Sequence, residues 1–216
     1  MKRRLLKIMA GLAVGIAVAL VGAWTAVGYM STKGIEEPEY SVVEKRRGYE
    51  IREYAPYIRA EVTLEGAYRD TLYGGFRQVA DYIFGNNTKS EKVAMTAPVI
   101  QEKSEKIAMT APVIQEAGEG KNTYTVAFVM PKEYTLETLP KPNNPNVAFR
   151  EVPARRFAVL KFGGYATERR VERKKAQLAK SLERDGLKGA GTEIVAQYDP
   201  PWTPFYMRRN EIQVPL

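Results

Sequence analysis

The stretch from Ile8 to Met30 contains no charged residue and follows a basic cluster of Lys2, Arg3, Arg4 and Lys7. Wound into a helix it rises about 34 Å, enough to cross a hydrocarbon core of about 30 Å. The apolar region of a cleaved signal peptide is shorter, about 7–15 residues, so the segment reads as an uncleaved anchor. Cleavage and secretion is the alternative, since Val21-Gly22-Ala23 and Ala26-Val27-Gly28 offer small residues at peptidase spacing. The basic flank belongs in the cytoplasm, which places the rest of the chain on the extracytoplasmic side, with Trp24 and Tyr29 at the interface. Residues 1–30 are thus set apart as a signal-anchor, and 31–39 (Ser-Thr-Lys-Gly-Ile-Glu-Glu-Pro-Glu) read as a short polar linker. Residues 40–216 suit one domain.

That domain carries a tandem copy. Residues 90–102 read Ser-Glu-Lys-Val-Ala-Met-Thr-Ala-Pro-Val-Ile-Gln-Glu, and residues 104–116 repeat them with Val93 replaced by Ile107. The offset is even, so equivalent side chains keep the same face of a strand. A hairpin between 92–100 and 106–114, turning at Glu102-Lys103-Ser104, is the simple expectation. Pro98 and Pro112 then belong at an edge, a bulge or a strand end. A fainter repeat relates Arg52-Glu53-Tyr54-Ala55-Pro56-Tyr57-Ile58-Arg59-Ala60 to residues 150–158, which suggests two similar halves, each with strands followed by a helix.

Two helices are predicted. In 67–84, Tyr68, Leu72, Phe76, Val79 and Ile83 recur at helical spacing, while Gly74 and Gly75 leave room for close approach of another backbone or a flat ligand. In 167–185, Thr167 is a plausible cap, Val171, Leu178 and Leu182 face inward, and Gly186 ends the helix. Strands are predicted at 41–46, 49–53, 56–65, 92–100, 106–114, 122–131, 147–151, 155–163, 192–199 and 209–214. Many strands with two helices is an α+β fold with a curved sheet or distorted barrel.

Composition narrows the chemistry. There is neither cysteine nor histidine, which excludes disulfides, thiolate metal sites, Ser-His-Asp or Cys-His machinery and proximal-histidine haem ligation. Half of the net charge of +8 sits in the amino-terminal cluster. The basic run from Arg169 to Lys175 lies on a predicted helix and includes Glu172, which reads as a solvated face; nucleic-acid binding is not expected. Gly186-Leu187-Lys188-Gly189-Ala190-Gly191 follows a helix and lacks a Lys-Ser/Thr pair, so it is a turn and no phosphate loop. No residue nominates itself as catalytic.

Residues 197–211 are the densest in recognition chemistry. Three prolines (Pro200, Pro201, Pro204) stiffen a loop in which Tyr198, Trp202, Phe205 and Tyr206 can offer flat apolar faces beside Arg208 and Arg209. Such a surface suits a planar, hydrophobic, anionic ligand; the same aromatics would equally plug the end of a barrel.

The doubled Lys-Val/Ile-Ala-Met-Thr-Ala-Pro-Val at 92–99 and 106–113, the Phe162-Gly163-Gly164-Tyr165 turn, and Tyr198-Asp199-Pro200-Pro201-Trp202 leading into Arg208-Arg209-Asn210-Glu211 together resemble the SOUL haem-binding family, over roughly residues 38–216. The resemblance implies a distorted β-barrel of two pseudo-symmetric halves flanked by two helices. It implies non-enzymatic binding of haem or a related porphyrin in an apolar cleft between the first domain helix and the proline-rich loop, on a membrane-tethered carrier or buffer. Carried onto this chain, the cleft would use Tyr73, Phe76, Arg77 and Ala80, with Trp202, Phe205, Tyr206 and Met207, and Arg77 or Arg208 would meet a propionate. Without histidine, an axial ligand would have to be Tyr or Met, such as Tyr73, Met95 or Met207; otherwise the ring is held by its faces and carboxylates alone. Met95 and Met109 are expected to pack in the core. A ligand-free interaction module and a binder of other amphipathic small molecules are the rival readings.

Overall fold

The computed structural model describes residues 2–93 and 99–216, and side chains at 9–89 and 104–216. Met95 lies outside the described residues. Helix α1 (Lys2–Thr32) leads into strands β1 (Tyr40–Arg46), β2 (Tyr49–Tyr54) and β3 (Tyr57–Glu65), then helix α2 (Tyr68–Ile83). Strands β4 (Asn87–Val93), β5 (Val99–Lys103), β6 (Val113–Ala117), β7 (Thr123–Val129), β8 (Lys141–Pro142), β9 (Ala148–Val152) and β10 (Arg155–Gly163) follow. Helix α3 (Glu168–Arg184), β11 (Ile194–Gln197) and β12 (Arg209–Pro215) complete the chain.

Nine strands form one curled antiparallel sheet in the order β1-β2-β10-β12-β11-β6-β7-β3-β9. The two outermost strands, β1 and β9, do not pair with each other, so the expected barrel is an open half-barrel. The order reads symmetrically about the β11–β6 pair: β12 and β7, β10 and β3, and β2 and β9 occupy matching places on either side.

Strand alternation decides which side chains meet the helices. From β3 and β7, Ala60, Val62, Val126 and Phe128 pack with Val79, Tyr82 and Ile83 of α2. From β10 and β12, Ala158, Leu160, Phe162, Ile212 and Val214 pack with Val171, Leu178 and Leu182 of α3. The intervening residues Ala127, Val129, Phe157 and Val159 turn to the concave face with Tyr54, Ile114 and Ile194. Thr167 occupies the N-cap of α3, although its hydroxyl makes no capping bond.

Gly75 explains how closely α2 lies on the sheet. A Cβ there would fall 2.5 Å from Val126 Cβ, so the space left by its hydrogen is filled by β7 and not by a ligand.

Among the described residues, the tandem copies do not pair with one another. Within the first copy, β4 pairs antiparallel with β5, from Lys89↔Lys103 to Val93↔Val99. The second copy instead sends Val113–Ala117 into the main sheet as β6, between β7 and β11. Asn87 closes the neck of the β4–β5 hairpin: its Oδ1 accepts from Glu105 N (2.9 Å), and its Nδ2 donates to the carbonyls of Glu105 (2.7 Å) and Tyr82 (2.8 Å). Once those two positions are tied, the chain between them can only loop out. The predicted hairpin over 92–100 and 106–114 is therefore displaced by half a repeat.

Candidate functional site

An apolar cleft of 390 Å³ opens between α2, the second repeat copy and the loop that joins β11 to β12. Helix α2 contributes Arg69, Leu72, Tyr73 and Phe76, spaced so that all lie on one face. The repeat contributes Met109, Thr110, Ala111 and Val113, and Phe128 of β7 closes the floor. The opposite wall is Tyr198 to Trp202 with Arg208, and Tyr165 stands at the rim. Its volume lies within the range of small-molecule sites, about 300–1,000 Å³. Two roomier hollows, of 690 and 830 Å³, are furnished instead with charged residues such as Glu36, Glu39 and Lys132, or Arg59, Glu61 and Glu116. Arg59 and Glu116 there satisfy each other at 2.5 Å.

Both roots of the 199–208 loop are clamped by a buried polar network. Glu211, fully buried, accepts from Arg52 Nη1 (3.1 Å), Arg209 Nη2 (3.0 Å), Tyr198 OH (2.8 Å) and Gln213 Nε2 (2.9 Å). Burial works to raise its pKa, but Arg52 and Arg209 outweigh burial and hold the carboxyl below its ordinary value. Burial, reinforced by the Glu211 charge, pushes the Tyr198 hydroxyl well up, so it stays a donor. Arg209 lies 3.7 Å over the Tyr198 ring and also grips Glu37 (2.9 Å), which ties the 35–39 segment to the loop. Burial raises the Asp199 pKa despite the bond its carboxylate accepts from Arg209 N (2.5 Å). Asn210 Nδ2 donates to the Gly164 carbonyl (2.7 Å) and fixes the turn that presents Tyr165.

Of the residues named from sequence, the cleft brings together Tyr73, Phe76, Trp202 and Arg208. It does not include Arg77, Ala80, Phe205, Tyr206 or Met207. Arg77 points to solvent and Ala80 is buried one turn beyond Phe76. After Pro204 the loop turns away, so that Tyr206 OH meets Thr25 of α1 (2.6 Å) and Met207 Sδ lies beside Gly28. Trp202, Phe205 and Tyr206 remain 57%, 54% and 51% exposed, so they do not plug the half-barrel. Met109 also departs from expectation, because it is partly exposed in the cleft wall and not packed in the core.

Four contributors escape the sequence reading. Arg69 precedes Tyr73 by one helical turn and its guanidinium lies 5.5 Å from that ring, a spacing the sequence contains. Tyr165 belongs to a motif that carries family likeness alone. Met109 has the look of a core thioether. Gln197 opens the 197–211 segment without a ring or charge of its own to mark it, yet its Nε2 is buried without a partner. An amide donor left unpaired beside an open apolar cleft suits an acceptor brought by a ligand. Arg208 is already committed to the loop: its Nε donates to the Thr203 carbonyl (3.0 Å), and the guanidinium stacks 4.6 Å from the Tyr165 ring. Among the described residues, no group of three or more acidic side chains could hold a metal ion.

Comparison with known proteins is consistent with this geometry. The chain is 29% identical over 143 residues to heme-binding protein 1 of Sus scrofa, spanning 66% of this chain and 70% of that protein. It is 27% identical over 164 residues to heme-binding protein 2 of Homo sapiens, spanning 72% and 74%. Among solved structures, the C-terminal domain of EcmrR aligns with a TM-score of 0.55 at 11% identity, over 82% of this chain and 96% of that one. A hydrolase from Listeria innocua aligns at 0.51 and 11%, over 80% and 93%. At such identities the structural likenesses show the fold alone. The SOUL heme-binding protein model matches residues 35–104 and again 100–215, the overlap falling on the duplicated segment, and over that span the chain belongs to the SOUL heme-binding family.

Proposed function

We propose that the cleft binds haem or a related porphyrin, and that the protein is a non-enzymatic, membrane-tethered carrier or buffer. The observation that carries this reading is the cleft itself, in which Tyr73, Phe76 and Trp202 surround an apolar floor beside the unpaired amide of Gln197. A tetrapyrrole has the matching chemistry of two flat apolar faces and acidic side arms. Gln197 would donate to a carboxylate, with Arg69 and Arg208 supplying positive charge at the edge. Bound haem would supply an iron centre; among cleft residues, Tyr73 and Met109 carry atoms able to approach it. The remaining affinity comes from face contacts, which do not require a metal.

The two halves of the half-barrel are pseudo-symmetric in this reading, a view supported by the mirrored strand order. Residues 1–30 form an uncleaved signal-anchor that leaves the 40–216 domain on the extracytoplasmic side. Its support is that α1 contains a span, Met9–Thr32, long and apolar enough to cross a membrane, with its side chains from Met9 to Ala23 exposed. Trp24, Thr25 and Gly28 touch the proline-rich loop, contacts that cleavage after Gly28 would delete.

The test is titration of hemin into the full chain in detergent, followed at the Soret band, for wild type and for Phe76→Asp/Trp202→Asp. Saturable binding that the double substitution weakens at least about tenfold, or 1.4 kcal/mol, is expected. Equal binding by the folded double variant would place the ligand elsewhere.

A further inference from the structure

The outer end of α1 does not leave the domain freely. Trp24 Nε1 donates to the Trp202 carbonyl (2.7 Å), and Thr25 shares a hydrogen bond with Tyr206 OH (2.6 Å). Gly28 is buried so tightly that a Cβ there would meet Pro204 Cδ at 2.7 Å. These residues lie one turn apart on one helix face, so the proline-rich loop runs alongside the last turns of the apolar span. A hydrocarbon core of about 30 Å takes about 20 helical residues, which from Met9 ends near Gly28. The loop therefore sits level with helix residues at the edge of the hydrocarbon, not above it in water.

The side chains presented there fit that depth. Phe205 stacks on Tyr165 at 6.5 Å and meets Tyr206 edge-on at 5.4 Å. Tyr165, Trp202, Phe205 and Tyr206 are all half exposed or more, a contiguous aromatic patch around the Arg208 guanidinium. Aromatic rings with polar tips beside a cation are the composition of a bilayer interface. Tyr165, Trp202 and Arg208 line the mouth of the cleft as well.

We infer that this patch is a second membrane contact, a seat formed by the 202–206 loop and Tyr165 that inserts into the outer leaflet beside the protein's own anchor and opens the cleft onto lipid. A hydrophobic ligand dissolved in the bilayer then reaches Tyr73 and Phe76 without crossing water. The inference rests on the reading of α1 as a membrane span, and the two are separable by experiment.

The full chain has two tryptophans, Trp24 on the anchor and Trp202 on the loop. Trp24→Phe and Trp202→Phe each leave one of them as a reporter in reconstituted phosphatidylcholine vesicles. Lipids brominated near the headgroup should quench Trp202 more than lipids brominated at the chain ends, and aqueous iodide should quench it poorly. Trp202 open to iodide and indifferent to bromolipid, with Trp24 quenched by bromolipid, overturns the seat and leaves the anchor standing. If neither tryptophan responds to bromolipid, the anchor falls and the seat with it. A variant that keeps both tryptophans, Phe205→Asp/Tyr206→Asp, provides a second reading: hemin preloaded into vesicles should transfer to it more slowly than to wild type, at unchanged final loading. Equal transfer rates contradict the seat.

Discussion

At the scale of single residues, the cleft wall depends on one buried carboxylate and one unpaired amide. Glu211 receives two guanidinium groups, and removing it takes the carboxylate partner from the Nη1 of fully buried Arg52, whose Nε and Nη2 keep Glu50, and leaves the buried Tyr198 hydroxyl and Gln213 amide without their acceptor. Glu211→Ala is expected to cost about 3–5 kcal/mol in urea unfolding, the usual penalty for breaking a buried ion pair. The same carboxyl sets an acid limit. Its folded pKa lies below the ordinary glutamate value of about 4.3, so its stabilisation is fully present above that pH and is lost as pH falls through the lower folded value. Urea midpoints of wild type should therefore fall below about pH 4.3 more steeply than those of Glu211→Gln, which has nothing to titrate at this site. Gln197 is expected to behave in the opposite sense. Gln197→Leu removes an unpaired buried donor and should stabilise the free protein by about 1 kcal/mol, while weakening porphyrins with free carboxylates and sparing their esters. Parallel unfolding and binding titrations check both halves. Glu211 and Gln197 sit on strands whose apolar alternation is readable, but partners contributed by distant strands leave no mark on local sequence.

Among the elements, the readable ones are those that period and punctuation determine. The Leu72–Phe76–Val79–Ile83 stripe places α2 within one residue at each end, and the β10 boundaries coincide with the predicted 155–163. The doubled segment misleads for a physical reason. Two near-identical sequences carry the same local preference, so nothing local says which copy pairs with itself and which enters the sheet. The tie between Asn87 and Glu105 makes that choice. Because Lys89 and Lys103 are directly paired, their Cα atoms stand about 4.5–5.5 Å apart, and joining 89 to 104 needs little movement. Deleting residues 90–103 should therefore leave the main sheet, the Tm and hemin binding nearly unchanged. Deleting 104–117 leaves the first copy in the same place, differing from the second only by Val93 for Ile107 and Lys103 for Ala117, so it too should serve as β6. Differential scanning calorimetry of the two deletions should give Tm values close to each other and to wild type, and a large loss in either would show that the β4–β5 excursion supports the sheet. The contact of α2 with β7 makes a further prediction. Gly75→Ala improves helix propensity by about 1 kcal/mol, but it drives a methyl into Val126, and a net loss of about 1–2 kcal/mol is expected by urea unfolding.

At the scale of the molecule, α1, loop and cleft form one continuous path. The network around Glu211 holds the roots of the loop, the loop holds the outer turns of α1, and the exposed aromatics share the face from which α1 departs. The chain has no histidine, so in the proposed function ligand recognition rests on faces and carboxylates. Competition between hemin and metal-free protoporphyrin for the full-length protein tests that claim most directly. One saturable site is expected, in which the metal-free ring displaces hemin with comparable affinity, within about 1.4 kcal/mol or tenfold. Saturable hemin binding that metal-free porphyrin cannot displace would show that an iron–protein bond carries the affinity, and no saturable binding of either at micromolar protein would contradict the tetrapyrrole reading altogether.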